Sequence, residues 1–167
     1  VVPLLDGRNL TIKEVAEEIS QGKDVWVYST QTGTGRTVPG RVAWCDLTRE
    51  NEKIQRTWLD DGTYVDTSLD HEFIMRDGSS RRADQLSIDD SVMPFYRRVS
   101  SSKNKDKIHG YEKVYDAPSN RYVYTHRRVA EIIDQNIELT ENDRHYVTHH
   151  RDFNKRNNDP SNLQRIG

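Results

Sequence analysis

The chain closes on YVTHHRDFNKRNNDPSNLQRIG, where two adjacent histidines, His149 and His150, precede a loop dense in amide side chains. Imidazoles titrate near neutrality, so one of such a pair can hold a metal ion while the other takes a proton from water. Adjacent side chains on a strand point to opposite sides. A bend at the pair would be needed to aim both rings into one cleft. Asn154, Asn157, Asn158 and Asn162 offer side-chain bonds that close the loop on its own backbone. DPSNLQRI then supplies a turn and the expected start of a helix, with Ser161 or Asn162 as its cap. The plain alternative is a solvated hairpin, because a His-His pair alone carries little information.

The elements that must position these groups can be read from patterning. VVPLL reads as a short strand ended by DGR. Thr11 with Glu14 has the form of a capping box, and Ile12, Val15, Ala16 and Ile19 recur at helical spacing, giving a helix over about 11–21 stopped by Gly22. DVWVYST, VPGRVAWCDL and KIQRTWL read as strands, and Asp60–Gly62 and Asp77–Gly78 mark hairpin turns. SSSKNKDK at 100–107 is polar and reads as a linker or exposed loop. YEKVYDAPSNRYVYTHRRVAEII reads as a hairpin running into a helix near Arg127–Ile133. The expected architecture is α+β in two domains: a mostly-β unit over 1–97, a linker over 98–107, and a small α/β unit over 108–167.

Composition sets limits. At 167 residues, 33% of them hydrophobic, any core is thin, and three Trp and eight Tyr make up part of the deficit. No run approaches a membrane span and no secretory signal opens the sequence. The single cysteine, Cys45, allows no internal disulfide, and a cytoplasmic location is the expectation. Its strand-like surroundings make it a structural thiol rather than a nucleophile. The net charge of −2 hides a split: residues 1–97 carry 12 basic and 17 acidic side chains, and residues 98–167 carry 13 and 10. The second part, at +3, is the better suited to a polyanion.

Taken as a string, His149-His150, Asn157-Asn158 and Asn162-Leu163 resemble the HNH nuclease motif. THRRVAEI at 125–132 is similar to the segment that precedes that motif in phage and intron-encoded HNH enzymes. The resemblance implies a ββα-metal fold in which His149 is a metal ligand and His150 the catalytic base that activates water. Asn162 and Asn158 are then structural within the motif, and the cofactor is a divalent metal, Mg²⁺ or Mn²⁺, that stabilises the leaving oxygen. The partner it implies is double-stranded DNA, with Arg127, Arg128, Arg144, Arg151, Lys155, Arg156, Lys105 and Lys107 as contacts to phosphate, joined by Lys103. The HNH helix carries a further ligand beyond the last Asn, so the expectation is a unit truncated at its C-terminus. His126 and His145 read as structural or phosphate-contacting.

VPLLDGRNLTIKEV and SLDHEFIMRDGSSRRADQLSIDDSVMP resemble segments of inteins, the Hint fold, with His71 in the position of the intein block histidine. Three departures stand out: Val1 where a Cys or Ser nucleophile would open the block, Ser68 for Thr, and Asp89-Asp90 for Gly-Asp. The closing strands of an intein, with their His-Asn terminus, would be expected after Gly167 and are not in this sequence. The combined expectation is a Hint-like domain carrying an HNH homing endonuclease, with further DNA contacts from Arg81, Arg82, Arg97 and Arg98. A splicing element with a degenerate nuclease and a DNA-binding protein without catalysis are the alternatives. Oligomeric state, target site and strand count are left open.

Overall fold

The capping box forms. The Glu14 N–H donates to Thr11 Oγ1 at 3.2 Å while Thr11 N–H donates to Glu14 Oε2 at 2.7 Å, which satisfies donors that a helix start otherwise leaves unpaired. In this computed structural model, which describes residues 1–133 and 147–167, the helix α1 runs Ile12–Ser20. It follows a two-stranded pair, β1 (Val2–Pro3) with β2 (Asn9–Leu10). Three antiparallel hairpins come next: β3 (Trp26–Thr30) with β4 (Thr37–Arg41), β5 (Ile54–Trp58) with β6 (Tyr64–Ser68), and β7 (Glu72–Ile74) with β8 (Ser80–Arg82). VVPLL yields only the two-residue β1 and a single bridge from Leu4 to Val27.

The core is correspondingly small. Leu4, Val15 and Val25 are buried, ringed by Leu10, Ile19, Val27 and Val42. Cys45 packs at this edge half-buried, its thiol directed at the Ile12 carbonyl at 3.6 Å. A second apolar centre holds Val114, Val129 and Ala130. These come from the central strand of a three-stranded sheet, β9 (Arg97–Val99), β10 (Glu112–Asp116) and β11 (Arg121–Tyr124), and from α2 (Thr125–Ile133).

Two expectations need correction. Residues 98–107 are not a bare linker. Arg98 and Val99 belong to β9, which pairs with β10, and Asp106 sits between Arg98 and Lys113 at 2.9 and 2.7 Å. Lys113, first, and then Arg98 hold the Asp106 carboxyl down to about 2. The polar composition of that segment reflects an internal ion network, not solvation. Nor are the parts over 1–97 and 108–167 separate: the Asn158 N–H donates to the Leu5 carbonyl at 2.7 Å and Thr37 Oγ1 to the Tyr115 carbonyl at 3.1 Å.

A further correction is at the chain end. Leu163–Ile166, read as the start of a helix, is a strand, β13. It pairs antiparallel with β12 (Val147–His150) in the register His150↔Leu163 and Val147↔Ile166. Only a single 3₁₀ turn, Pro160–Asn162, precedes it, capped by Asp159, whose Oδ1 accepts the Ser161 N–H at 2.9 Å. Cross-strand pairing with β12 satisfies backbone groups that a helix would have satisfied locally. Arg144 and His145, singled out from sequence, lie outside the described residues.

Leu4 joins α1, β3 and the N-terminal turn in one core. Replacing Leu4 by Ala is expected to cost about 2–5 kcal/mol of unfolding free energy in urea melts, the range for truncating a fully buried leucine. A loss below about 1 kcal/mol would show that this cluster is not the main apolar anchor.

Candidate functional site

The C-terminal loop is built around Asp152. Its carboxylate accepts Asn157 Nδ2 at 2.7 Å, Asn162 Nδ2 at 2.9 Å and the Asn154 N–H at 2.8 Å. Asn162 also donates to the Asn157 carbonyl at 2.8 Å and accepts the Asp152 N–H at 3.1 Å. Bonds from Asn157, first, hold the Asp152 carboxyl below the usual carboxylate range. The amides that make this loop look unusual in sequence are its internal framework.

Asn158 is fully buried. It donates to Glu112 Oε1 at 3.3 Å and to the Arg156 carbonyl at 3.1 Å, leaving its own oxygen facing His150 Nε2 at 3.3 Å. That orientation makes His150 the donor, with the proton on Nε2. Glu112 in turn accepts from the Tyr28 hydroxyl and pairs with Arg97 at 3.3 Å. Burial, then the Glu112 carboxylate, push the Tyr28 phenol well up, so it remains a donor. A polar chain thus runs from β3 through β10 to β12.

Beside it, four rings cluster. The His126 ring lies 5.2 Å from His150 and 4.9 Å from Tyr111, and Tyr124 lies 5.7 Å from His126. Burial, first, and then the neighbouring His150 lower the His126 pKa to about 3, and burial also lowers that of His150. Both are neutral at physiological pH. Among the described residues His126 Nδ1 has no hydrogen-bond partner.

The two histidines of the pair do not share a cleft. Strand alternation prevails: His150 packs inward against Tyr111, whereas the ring of half-buried His149 rests on Phe153 at 5.2 Å. His150 is 4% exposed and its Nε2–H is spent on Asn158. It therefore lacks the solvent access that a base acting on water at a bound phosphate requires. Among the described residues no group of three or more His, Cys, Asp or Glu side chains that could hold a metal ion includes His149.

Of the expected phosphate contacts, Arg128 is 7% exposed and bound to Asp116 at 3.1 Å. It cannot face a polyanion. Arg81, Arg82, Arg97 and Arg98 are neutralised by Asp90, Asp84, Glu112 and Asp106. Arg127 is exposed and stacks over Tyr124 at 5.1 Å. Lys103, Lys105, Lys107, Arg151, Lys155 and Arg156 are exposed. Lys155 Nζ reaches the His109 carbonyl at 3.2 Å and lies over Tyr111 at 4.8 Å, which brings the 151–156 loop against the loop that carries Lys105 and Lys107. His71 is exposed, its ring edge-on to Phe73 at 5.3 Å and its carbonyl bound by the Ala83 N–H at 2.8 Å.

Comparison with known proteins gives a relative across nearly the whole chain. That relative is part of a DNA gyrase. The chain is 36% identical over 169 residues, 99% of its own length, to the B-type subunit of DNA gyrase from Synechocystis sp. (strain ATCC 27184 / PCC 6803 / Kazusa), and spans 15% of that protein. No family model matches the chain. No solved structure matches it either. The match displaces the resemblance to an intein carrying an HNH homing endonuclease: the relative is named as a gyrase component, and neither splicing nor homing cleavage is what it supports. Among the described residues no helix is long and apolar enough to cross a membrane.

Sequence reasoning missed Tyr28, Tyr111 and Glu112. EKVYD is legible only as part of a hairpin, and the partners of Glu112 lie 84 and 46 residues away in sequence.

Removing Asn158 leaves a buried carboxylate and a buried imidazole each short of a partner. Asn158→Ala is expected to cost about 2–4 kcal/mol in urea unfolding, and a cost under about 0.5 kcal/mol would remove Asn158 from its bridging role. The His126 pKa is depressed from 6.5 to about 3, so its contribution to stability is complete above pH 6.5 and is lost as pH falls toward 3. Between pH 7 and pH 5 the fold should lose up to about 2 kcal/mol through this group. His126→Phe should reduce that loss, and an unchanged pH dependence in the variant would place the acid sensitivity elsewhere.

Proposed function

We propose that this chain is a DNA-contacting segment of a gyrase-B-like polypeptide. The observation that carries the reading is the alignment of 99% of the chain with part of the Synechocystis gyrase protein. What supports it in the fold is the exposed set Lys105, Lys107, Arg151, Lys155 and Arg156, none of which is in an ion pair among the described residues. Lys155 reaches the His109 carbonyl and lies over Tyr111, which brings the 151–156 loop and the loop of Lys105 and Lys107 together. Flexible lysines and arginines on loops bind the duplex backbone by displacing condensed counterions, without reading base sequence.

On this reading the buried His126–His150–Asn158–Glu112 cluster is the scaffold beneath the contact loops. Catalytic work belongs to the DNA-acting polypeptide of which the segment is part. A divalent cation accompanies the DNA as counter-charge and is not lodged on His149.

Fluorescence anisotropy with a short labelled duplex over a salt series tests this. Changing Lys105, Lys107, Lys155 and Arg156 together to Gln should flatten the slope of log affinity against log salt by about 3 to 4, at about 0.9 per lost phosphate contact. Arg128→Gln should lower stability and leave the slope alone. Identical slopes for the quadruple variant and the parent would rule out this surface as the DNA contact.

A further inference from the structure

The β5–β6 hairpin turns a continuous aromatic face to solvent. Ile54, Arg56 and Trp58 alternate along one side of β5, opposite Ser68, Asp66 and Tyr64. Trp58 is 63% exposed, Ile54 62% and Tyr64 48%. The opposite face is held down, Gln55 Nε2 donating to the Ala83 carbonyl at 2.6 Å. The tip is fixed as well: the Leu59 N–H bonds the Thr63 carbonyl at 2.8 Å, Gly62 takes φ +82°, and Asp61 caps Thr63. A rigid ribbon therefore presents rings that cost little entropy to engage.

The charge on this ribbon selects the partner. Arg56 is spent internally: its guanidinium lies 3.9 Å from the Tyr64 ring centroid and 2.8 Å from Asp66. Residues 54–68 hold one arginine against three aspartates, a net −2, and Asp60 at the tip is in no ion pair or hydrogen bond with any described residue. That balance repels a nucleic acid, and it repels the same ribbon of a second copy. It suits guanidinium or ammonium groups, which are attracted by the faces of Trp and Tyr and by a nearby carboxylate. Trp and Tyr are also the side chains that most often anchor protein contacts.

We propose that the outward face of the β5–β6 ribbon is a docking surface for an arginine- or lysine-rich segment of a partner protein, with Trp58 as the stacking platform, Tyr64 and its Arg56 as the ring's fixed neighbours, and Asp60 as the counter-charge. This site is independent of the DNA-contacting loops.

The test uses a labelled Arg-Gly repeat peptide as probe, with a Glu-Gly repeat and a short duplex as competitors. Binding to the full chain should weaken about tenfold in Trp58→Ala, a change that leaves net charge untouched. Trp58→Phe, which keeps a ring face, should recover most of it. Asp60→Asn should weaken binding by about two- to fivefold. Equal affinity of Trp58→Ala and parent overturns the proposal. So does displacement of the peptide by the duplex from Trp58, or sedimentation showing that Trp58→Ala abolishes a self-association of the chain.

Discussion

A single buried amide holds the two ends of this fold together. Asn158 uses its backbone N–H on Leu5 and its side chain on Glu112, Arg156 and His150. No apolar residue could replace it, because its side chain bonds three polar partners, two of them the buried Glu112 and His150, that would lose a mate. The N-terminal turn comes so close that a Cβ on Gly7 would stand a tight 3.2 Å from the Arg156 carbonyl oxygen, and its φ of +92° strains any other residue there. The orientation of the amide also fixes the proton of His150, so the chemistry of the histidine pair is decided by a residue eight positions further on.

What the sequence discloses is local. Thr11 with Glu14, Asp60–Gly62 and Asp77–Gly78 announce α1 and two hairpins because capping boxes and Asp-Gly turns act within a few residues. The loop amides are legible as loop-closing groups for the same reason. What is not legible depends on distant partners. EKVYD reads only as part of a hairpin, yet its Glu112, Lys113 and Asp116 are buried. The histidine pair suggests a shared cleft, but a regular strand sends the two rings to opposite sides, and no bend intervenes. The short polar run at 100–107 reads as a connector because Asp106 shows its purpose only beside Arg98 and Lys113.

The relationship to a gyrase component changes what the paired histidines mean. As nuclease groups they would have to meet water and metal. In this fold His150 belongs to a buried cluster of rings, and the exposed charges nearby are loop lysines and arginines. The exposed and the buried parts thus differ in kind: a bonded polar interior sets the position of loops that carry exposed lysines and arginines.

The central strand β10 buries three charges, and each has its own cation or anion: Glu112 with Arg97, Lys113 with Asp106, Asp116 with Arg128. A buried charge stripped of its mate is expensive, whereas a well-packed apolar pair in the same space is often tolerated. Drift at these positions is therefore coupled. A lone change at 112, 113 or 116 passes through a damaged intermediate, so at these positions a charge and its mate are expected to be exchanged together.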